Sequence, residues 1–130
     1  CQTILPLLEN DLSEIFFDCC VGKLSEKKIK LSNKKSICIV LCSKGYPDDY
    51  KKDSEISKLN KLSLKDNEYI YHAGTKLKDN KILNSGGRVL NFVSTSNNLK
   101  ESRNDLIKLI KKLDWENGFF RKDIAYKVID

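Results

Sequence analysis

Few side chains in this 130-residue sequence have a type and spacing that could do chemistry. The one histidine, His72, stands in Tyr-His-Ala-Gly-Thr, with Gly74 and Thr75 beside it. An imidazole titrates near neutrality and can move a proton. A single histidine at a strand end is more often a hydrogen-bonded structural group. A second cluster, Ser85-Gly86-Gly87-Arg88, sets flexible backbone against a guanidinium, a combination that suits an anion. It lacks the spacing of a Walker loop or a dinucleotide fingerprint, and a sharp turn between strands explains it equally well. The third, Lys44-Gly45-Tyr46-Pro47, is a turn first and a ligand contact second. Gly45, Gly74 and Gly86–Gly87 all adjoin predicted strand ends. Each has a polar neighbour, Lys44, Thr75 or Arg88, so the loops of one sheet rim could gather them at a small-molecule site. No constellation for acid–base or covalent catalysis emerges from these residues.

The cysteines, Cys1, Cys19, Cys20, Cys38 and Cys42, include no Cys-x-x-Cys pair. With one histidine, a zinc site is not expected. Cys38 and Cys42, on one predicted strand, are about 13 Å apart, too far for a disulfide. All five are expected to be small apolar residues in a reducing compartment. Lysine and arginine total 24 against 18 acids, a formal charge of +6. Most of that excess is lysine scattered among acids. Only Arg88, Arg103 and Arg121 could fork onto base edges, so the expectation is a lysine-rich surface and no nucleic-acid partner. The longest apolar run, Ile37 to Cys42, is far short of the roughly 20 residues that span a bilayer, so no membrane partner is expected either. No signal peptide opens the chain, and its first residue is Cys1. A fragment or processed piece with its original start upstream is expected.

Elements must position these residues. Ile4, Leu8, Leu12, Ile15, Phe16 and Cys19 recur at helical spacing and predict a core-packing helix over Thr3 to Val21. Thr3 would cap it, Pro6 would fall in its first turn, and Gly22 would stop it. A charged connector follows, with a short strand expected at Ile29 to Leu31. Ser36 to Cys42 predicts a buried central strand that ends in a turn at Gly45 and Pro47. Glu68 to Thr75 predicts a second strand, with a hairpin about Asp79–Asn80 beyond it. Another strand starts at Arg88, entered through Gly86–Gly87. Leu99 to Leu113 predicts a helix whose Leu99, Leu106, Ile110 and Leu113 share a face. Asn98 and Glu101 would form its capping box, and Lys108, Lys111 and Lys112 suit its negative end. The tail has a turn at Asn117–Gly118 and a possible Arg121–Asp123 pair. This order defines an α+β module around an antiparallel or mixed sheet.

Taken in order, CQTILPLL, VLCSKGYPDDY, YHAGTKLKDNKI, SGGRVLNF and FFRKDIAY resemble the C-terminal part of the phosphoribosylamine–glycine ligase (glycinamide ribonucleotide synthetase) family, from Cys1 to Ile129. These are ATP-grasp ligases. The resemblance implies a cytoplasmic, ATP-dependent C–N ligase of de novo purine biosynthesis. Glycine is activated as an acyl phosphate, and the amine of 5-phosphoribosylamine then attacks it. Residues 1–22 would be the terminal helix of the ATP-grasp domain, 23–35 a connector, and 36–130 a small C-terminal domain with one main helix. Lys44, Gly45, His72, Gly74, Thr75, Gly86, Gly87 and Arg88 fall on family motifs. They are implied to face phosphoribosylamine, with Arg88 as the anion contact. The chain departs from the family at Phe120, usually tyrosine, and at Ala125, often glycine. ATP and magnesium (or manganese) are implied to bind mainly upstream, in the remainder of the ligase, which is the implied partner. No catalytic residue or metal ligand is implied within this chain, which alone is expected to be inactive. The rival expectation is a basic, non-enzymatic module for nucleic acid or a protein. It rests on Glu68-Tyr69-Ile70-Tyr71-His72, whose alternation fits a strand equally well.

Overall fold

The structure, a computed structural model, describes residues 1–26 and 28–129. Two helices, α1 (Leu12–Cys20) and α2 (Leu99–Leu113), accompany six strands: β1 (Lys35–Ser43), β2 (Glu68–His72), β3 (Thr75–Lys78), β4 (Lys81–Asn84), β5 (Arg88–Ser96) and β6 (Gly118–Phe119). The main sheet runs β2-β5-β1-β6, and β3-β4 form a separate hairpin. Every pairing is antiparallel. The expected α+β class is what is observed.

β1 alternates. Ile37, Ile39, Leu41 and Ser43 are buried, while Cys38, Val40 and Cys42 are half-buried. One sheet face therefore meets α2, whose Leu106, Leu109, Ile110 and Leu113 pack on Ile37, Ile39, Leu41, Leu90 and Phe92. Each such side chain, fully buried, contributes roughly 1.5–3 kcal/mol. β1 is interior as expected, but β5 is the more deeply buried strand, with seven consecutive buried residues. The box expected at the start of α2 forms by half, since the Asn98 N–H donates to Ser96 Oγ at 3.0 Å and not to Glu101. The Asn98 side chain accepts the Glu101 N–H at 3.2 Å, and Lys111 and Lys112 lie in the last turn. The hairpin turn falls at Asp79 (φ 48) and Asn80 (φ 59), the left-handed pair that a two-residue turn between twisted strands requires.

Three predicted segments need correction. The helix predicted from Thr3 to Val21 is two pieces, a 3-10 turn at Leu5–Leu7 and α1. Asp11 separates them: its backbone is extended (φ −65, ψ 124), and its carboxylate accepts the N–H groups of Ser13 at 2.8 Å and Glu14 at 3.1 Å. An aspartate that caps a helix start competes against continuing a helix through itself. Nor does the apolar stripe of this segment pack into the core. Ile15 is buried, but Phe16 and Phe17 are 59% and 67% exposed. The strand expected at Ile29 to Leu31 is only a bridge between Leu8 and Leu31. It is flanked by Glu9 N–H to the Lys30 carbonyl and Ser32 N–H to the Leu7 carbonyl. Finally, the strand expected over Glu68 to Thr75 stops at His72. Ala73 and Gly74 turn the chain, and Thr75 opens β3.

Candidate functional site

The sheet face opposite α2 holds a cleft of about 570 Å3. Val40 and Asn91, cross-strand partners on β1 and β5, lie in it. Tyr46, Ala73–Gly74 and Gly87–Arg88 line it from the loops, and Gln2 from the N-terminal segment.

Arg88 reaches the cleft through an irregularity of β5. Leu41 pairs with Leu90, but Cys42 pairs with Arg88, leaving Val89 as the extra residue of a bulge. Bulges re-aim side chains. Here Val89 and Leu90 both enter the core at 0% exposure, and Arg88 is left on the open face. Its guanidinium makes no hydrogen bond or ion pair with any described residue. The other two arginines are committed. Arg103 donates to the carbonyls of Ile124, at 2.7 Å, and Lys122. Arg121 forks onto Asp123 at 2.7 and 3.1 Å, the pair expected from the sequence. The Asn91 carboxamide is also without a hydrogen-bond partner among the described residues, although Asn91 is only 8% exposed. The ends of that amide are not sealed from solvent, so its donor and acceptor stand open to water or to a ligand in the cleft. Next to Arg88, burial pushes the Cys42 thiol up, and the positive charge of Arg88 opposes that shift.

The glycines serve close approach more than unusual dihedrals. A Cβ on Gly74 would lie 2.6 Å from the Arg88 carbonyl oxygen and 2.7 Å from the Gly86 Cα. One on Gly87 would lie 2.0 Å from the Tyr46 ring. Of the glycines at these strand ends, Gly45 takes a positive φ, 102, and there a Cβ would also strike the Asp49 carbonyl oxygen at 2.2 Å.

Of the residues singled out in the sequence, the structure gathers Gly74, Gly87 and Arg88 in one cleft, with Gly86 against its back through Gly74. His72 and Thr75 meet each other, Nδ1 to Oγ1 at 2.8 Å, at the β2–β3 turn. His72 pairs with Leu90 whereas Tyr71 pairs with Asn91, so by alternation the imidazole leaves the sheet on the other side from Asn91. Lys44 and Gly45 are exposed on the neighbouring turn and do not line the cleft; the Lys44 N–H donates to the Asn117 carbonyl at 2.8 Å. Sequence reasoning passed over Asn91 and Gln2, and named Tyr46 only as part of the Lys44–Pro47 turn. Asn91 did carry a signal, a lone carboxamide inside the apolar run of β5.

Fold and cleft together define a small α+β domain with one helix on an antiparallel sheet and, on the opposite face, a pocket offering an unpaired guanidinium. The chain belongs to the family described as phosphoribosylglycinamide synthetase, C domain, which matches residues 36–127. It is 43% identical over 124 residues to phosphoribosylamine–glycine ligase of Caldanaerobacter subterraneus subsp. tengcongensis, covering 95% of this chain and 29% of that protein. The bifunctional purine biosynthetic protein purD of Dictyostelium discoideum is 39% identical over 130 residues, covering 99% of this chain and 16% of that protein. The crystal structure of phosphoribosylamine–glycine ligase from Thermotoga maritima matches with a TM-score of 0.64 at 28% identity, covering 88% of this chain and 28% of that one. The chain thus spans less than a third of the relatives' length.

The family implies magnesium, and the side chains present here do not fit it. Among the described residues no three His, Cys, Asp or Glu side chains stand where they could hold a metal ion. Among the described residues no helix is long and apolar enough to cross a membrane.

Proposed function

We propose that this chain is the C-terminal domain of an ATP-dependent phosphoribosylamine–glycine ligase, and that its cleft holds the phosphoribosylamine side of the reaction. The relatives' names supply the reaction class. One observation on this chain supports the local role: Arg88, unpaired among the described residues, shares the cleft with the unpartnered amide of Asn91. A guanidinium forks onto a phosphate, and a carboxamide can meet a sugar hydroxyl with either end. In this reading Arg88 positions the substrate phosphate and takes no part in proton transfer. Activation of glycine by ATP and magnesium belongs to the remainder of the polypeptide, in the cytoplasm. Residues 1–22 would belong to the ATP-grasp domain, with 23–35 as the connector and 36–130 as the closing domain. The outward Phe16 and Phe17 of α1 support that division, since such rings are normally covered.

The test is steady-state kinetics of the full-length polypeptide with each substrate varied. A charged hydrogen bond is worth roughly 1.5–3 kcal/mol. Arg88→Ala is therefore expected to raise the KM for phosphoribosylamine about 10- to 150-fold, with little change for ATP or glycine and an unchanged melting temperature. Arg88→Lys should recover only part, because an ammonium lacks the two-pronged geometry. An unchanged phosphoribosylamine KM would sink the assignment.

A further inference from the structure

We infer that Ser43, held by Asn84, is a positioning residue that sets the direction of Arg88. The inference rests on the substrate-phosphate role of Arg88 proposed above. Ser43 ends β1 at 1% exposure, outside the cleft lining. Its N–H donates to the Gly87 carbonyl at 2.7 Å, and its Oγ donates to the Gly86 carbonyl at 2.9 Å. One residue thus holds both peptide carbonyls that lead into Arg88. Its own carbonyl accepts the Tyr46 N–H at 3.0 Å, and the Tyr46 ring is the group that leaves no room for a side chain at Gly87. Both cleft-lining loops are therefore referred to Ser43.

A hydroxyl could in principle turn its proton elsewhere, and Asn84 removes that freedom. Asn84 is 0% exposed. Its Nδ2 donates to Ser43 Oγ at 2.9 Å and to the Lys51 carbonyl at 2.7 Å, while its Oδ1 accepts the Ser54 N–H at 2.7 Å. The carboxamide cannot flip without placing its oxygen against the Lys51 carbonyl and its NH2 against the Ser54 N–H. Because Asn84 donates into a lone pair of Ser43 Oγ, the single hydroxyl proton is directed to the Gly86 carbonyl. Apolar residues of like volume could fill this space. A fully satisfied buried network adds a single allowed backbone direction, and the backbone so fixed is the one that carries Arg88.

The experiment uses the full-length polypeptide. Ser43→Ala is expected to raise the phosphoribosylamine KM about fivefold to tenfold, the scale of one lost neutral hydrogen bond with an orphaned partner. The constants for ATP and glycine should stay nearly unchanged, and Ser43→Thr, which keeps the hydroxyl, should restore part of the loss. If Ser43→Ala does not fold, Ser43→Cys, with similar volume and a weak donor, carries the same comparison. Leu109→Ala, a core change on α2, is the stability control and should lower the melting temperature without changing the phosphoribosylamine KM. The deciding measurement is the double variant: in an Arg88→Ala background, Ser43→Ala should add no further loss of phosphoribosylamine affinity, because its effect runs through Arg88. Additive losses, or equal changes for all three substrates, overturn the positioning role while leaving that of Arg88 standing. An unchanged phosphoribosylamine KM for Arg88→Ala overturns both.

Discussion

Gly74 and Gly86 touch backbone to backbone: the Gly86 N–H donates to the Gly74 carbonyl at 3.2 Å, and a Cβ on Gly74 would lie 2.7 Å from the Gly86 Cα. This contact ties the β2–β3 turn to the approach of β5. The two positions are not equivalent. A Cβ on Gly74 would also meet the Arg88 carbonyl at 2.6 Å, whereas one on Gly86 would meet Gly74 Cα at 3.1 Å and nothing closer. Gly74→Ala is expected to cost about 1–3 kcal/mol, the scale of overpacking against backbone that cannot give way, and Gly86→Ala clearly less. Urea melts of the two variants decide it; equal losses would mean that the loop moves as one piece.

Arg88 and Cys42 face each other across β1 and β5. The Arg88 charge holds the Cys42 thiol lower than burial alone would. Removing it with Arg88→Ala raises the thiol pKa, reduces the thiolate fraction at any given pH, and should slow iodoacetamide labelling of Cys42. Arg88→Lys should restore most of the rate. Faster labelling in the alanine variant would mean that the side chain shields the sulfur more than it polarises it.

Arg103 ties α2 to the tail through two carbonyls, those of Ile124 and Lys122. Arg103→Ala leaves both acceptors without this donor and should cost about 1–3 kcal/mol. Limited proteolysis should then cut between Arg121 and Lys127 sooner than in the parent. Arg103→Lys, with one donor head in place of the fork, should rescue only part.

Asp105 lies between Lys65, to which it is hydrogen-bonded, and Lys108 at 3.5 Å. Hydrogen bonding to Lys65, then the two positive charges, holds its carboxyl below the ordinary value of 3.8. A depressed folded-state pKa stabilises fully above the unfolded value and is lost as pH falls through the folded one. Asp105→Asn is therefore expected to be slightly less stable than the parent at neutral pH, with the gap closing in strong acid. Lys65 is solvated while the Asp105 side chain is only 20% exposed, so high salt should narrow the gap only in part. A gap that widens on acidification would contradict the assignment.

Local chemistry settled much of this protein in advance. Asn98 and Glu101 mark the start of α2, Asp79–Asn80 mark the hairpin, and Arg121 finds Asp123 two residues away, because each signal is spent within a few residues. Arg88, Gly74 and Gly87 were visible as types, and their family-like order pointed to the ligase domain. Other features depended on distant chain. A residue's own sequence neighbourhood cannot say that Val89 would bulge and turn Arg88 outward, since that depends on the register set by β1. Nor could it say that His72 would leave the sheet on the side away from Asn91, because one step of strand register exchanges the two faces. The Thr3–Val21 periodicity misled for the same reason: spacing reports that an apolar stripe exists, and only packing decides that Phe16 and Phe17 point away from this core. The hold of Ser43 and Asn84 on Gly86 joins residues 41 and 43 positions apart, contacts that exist only once the sheet has closed.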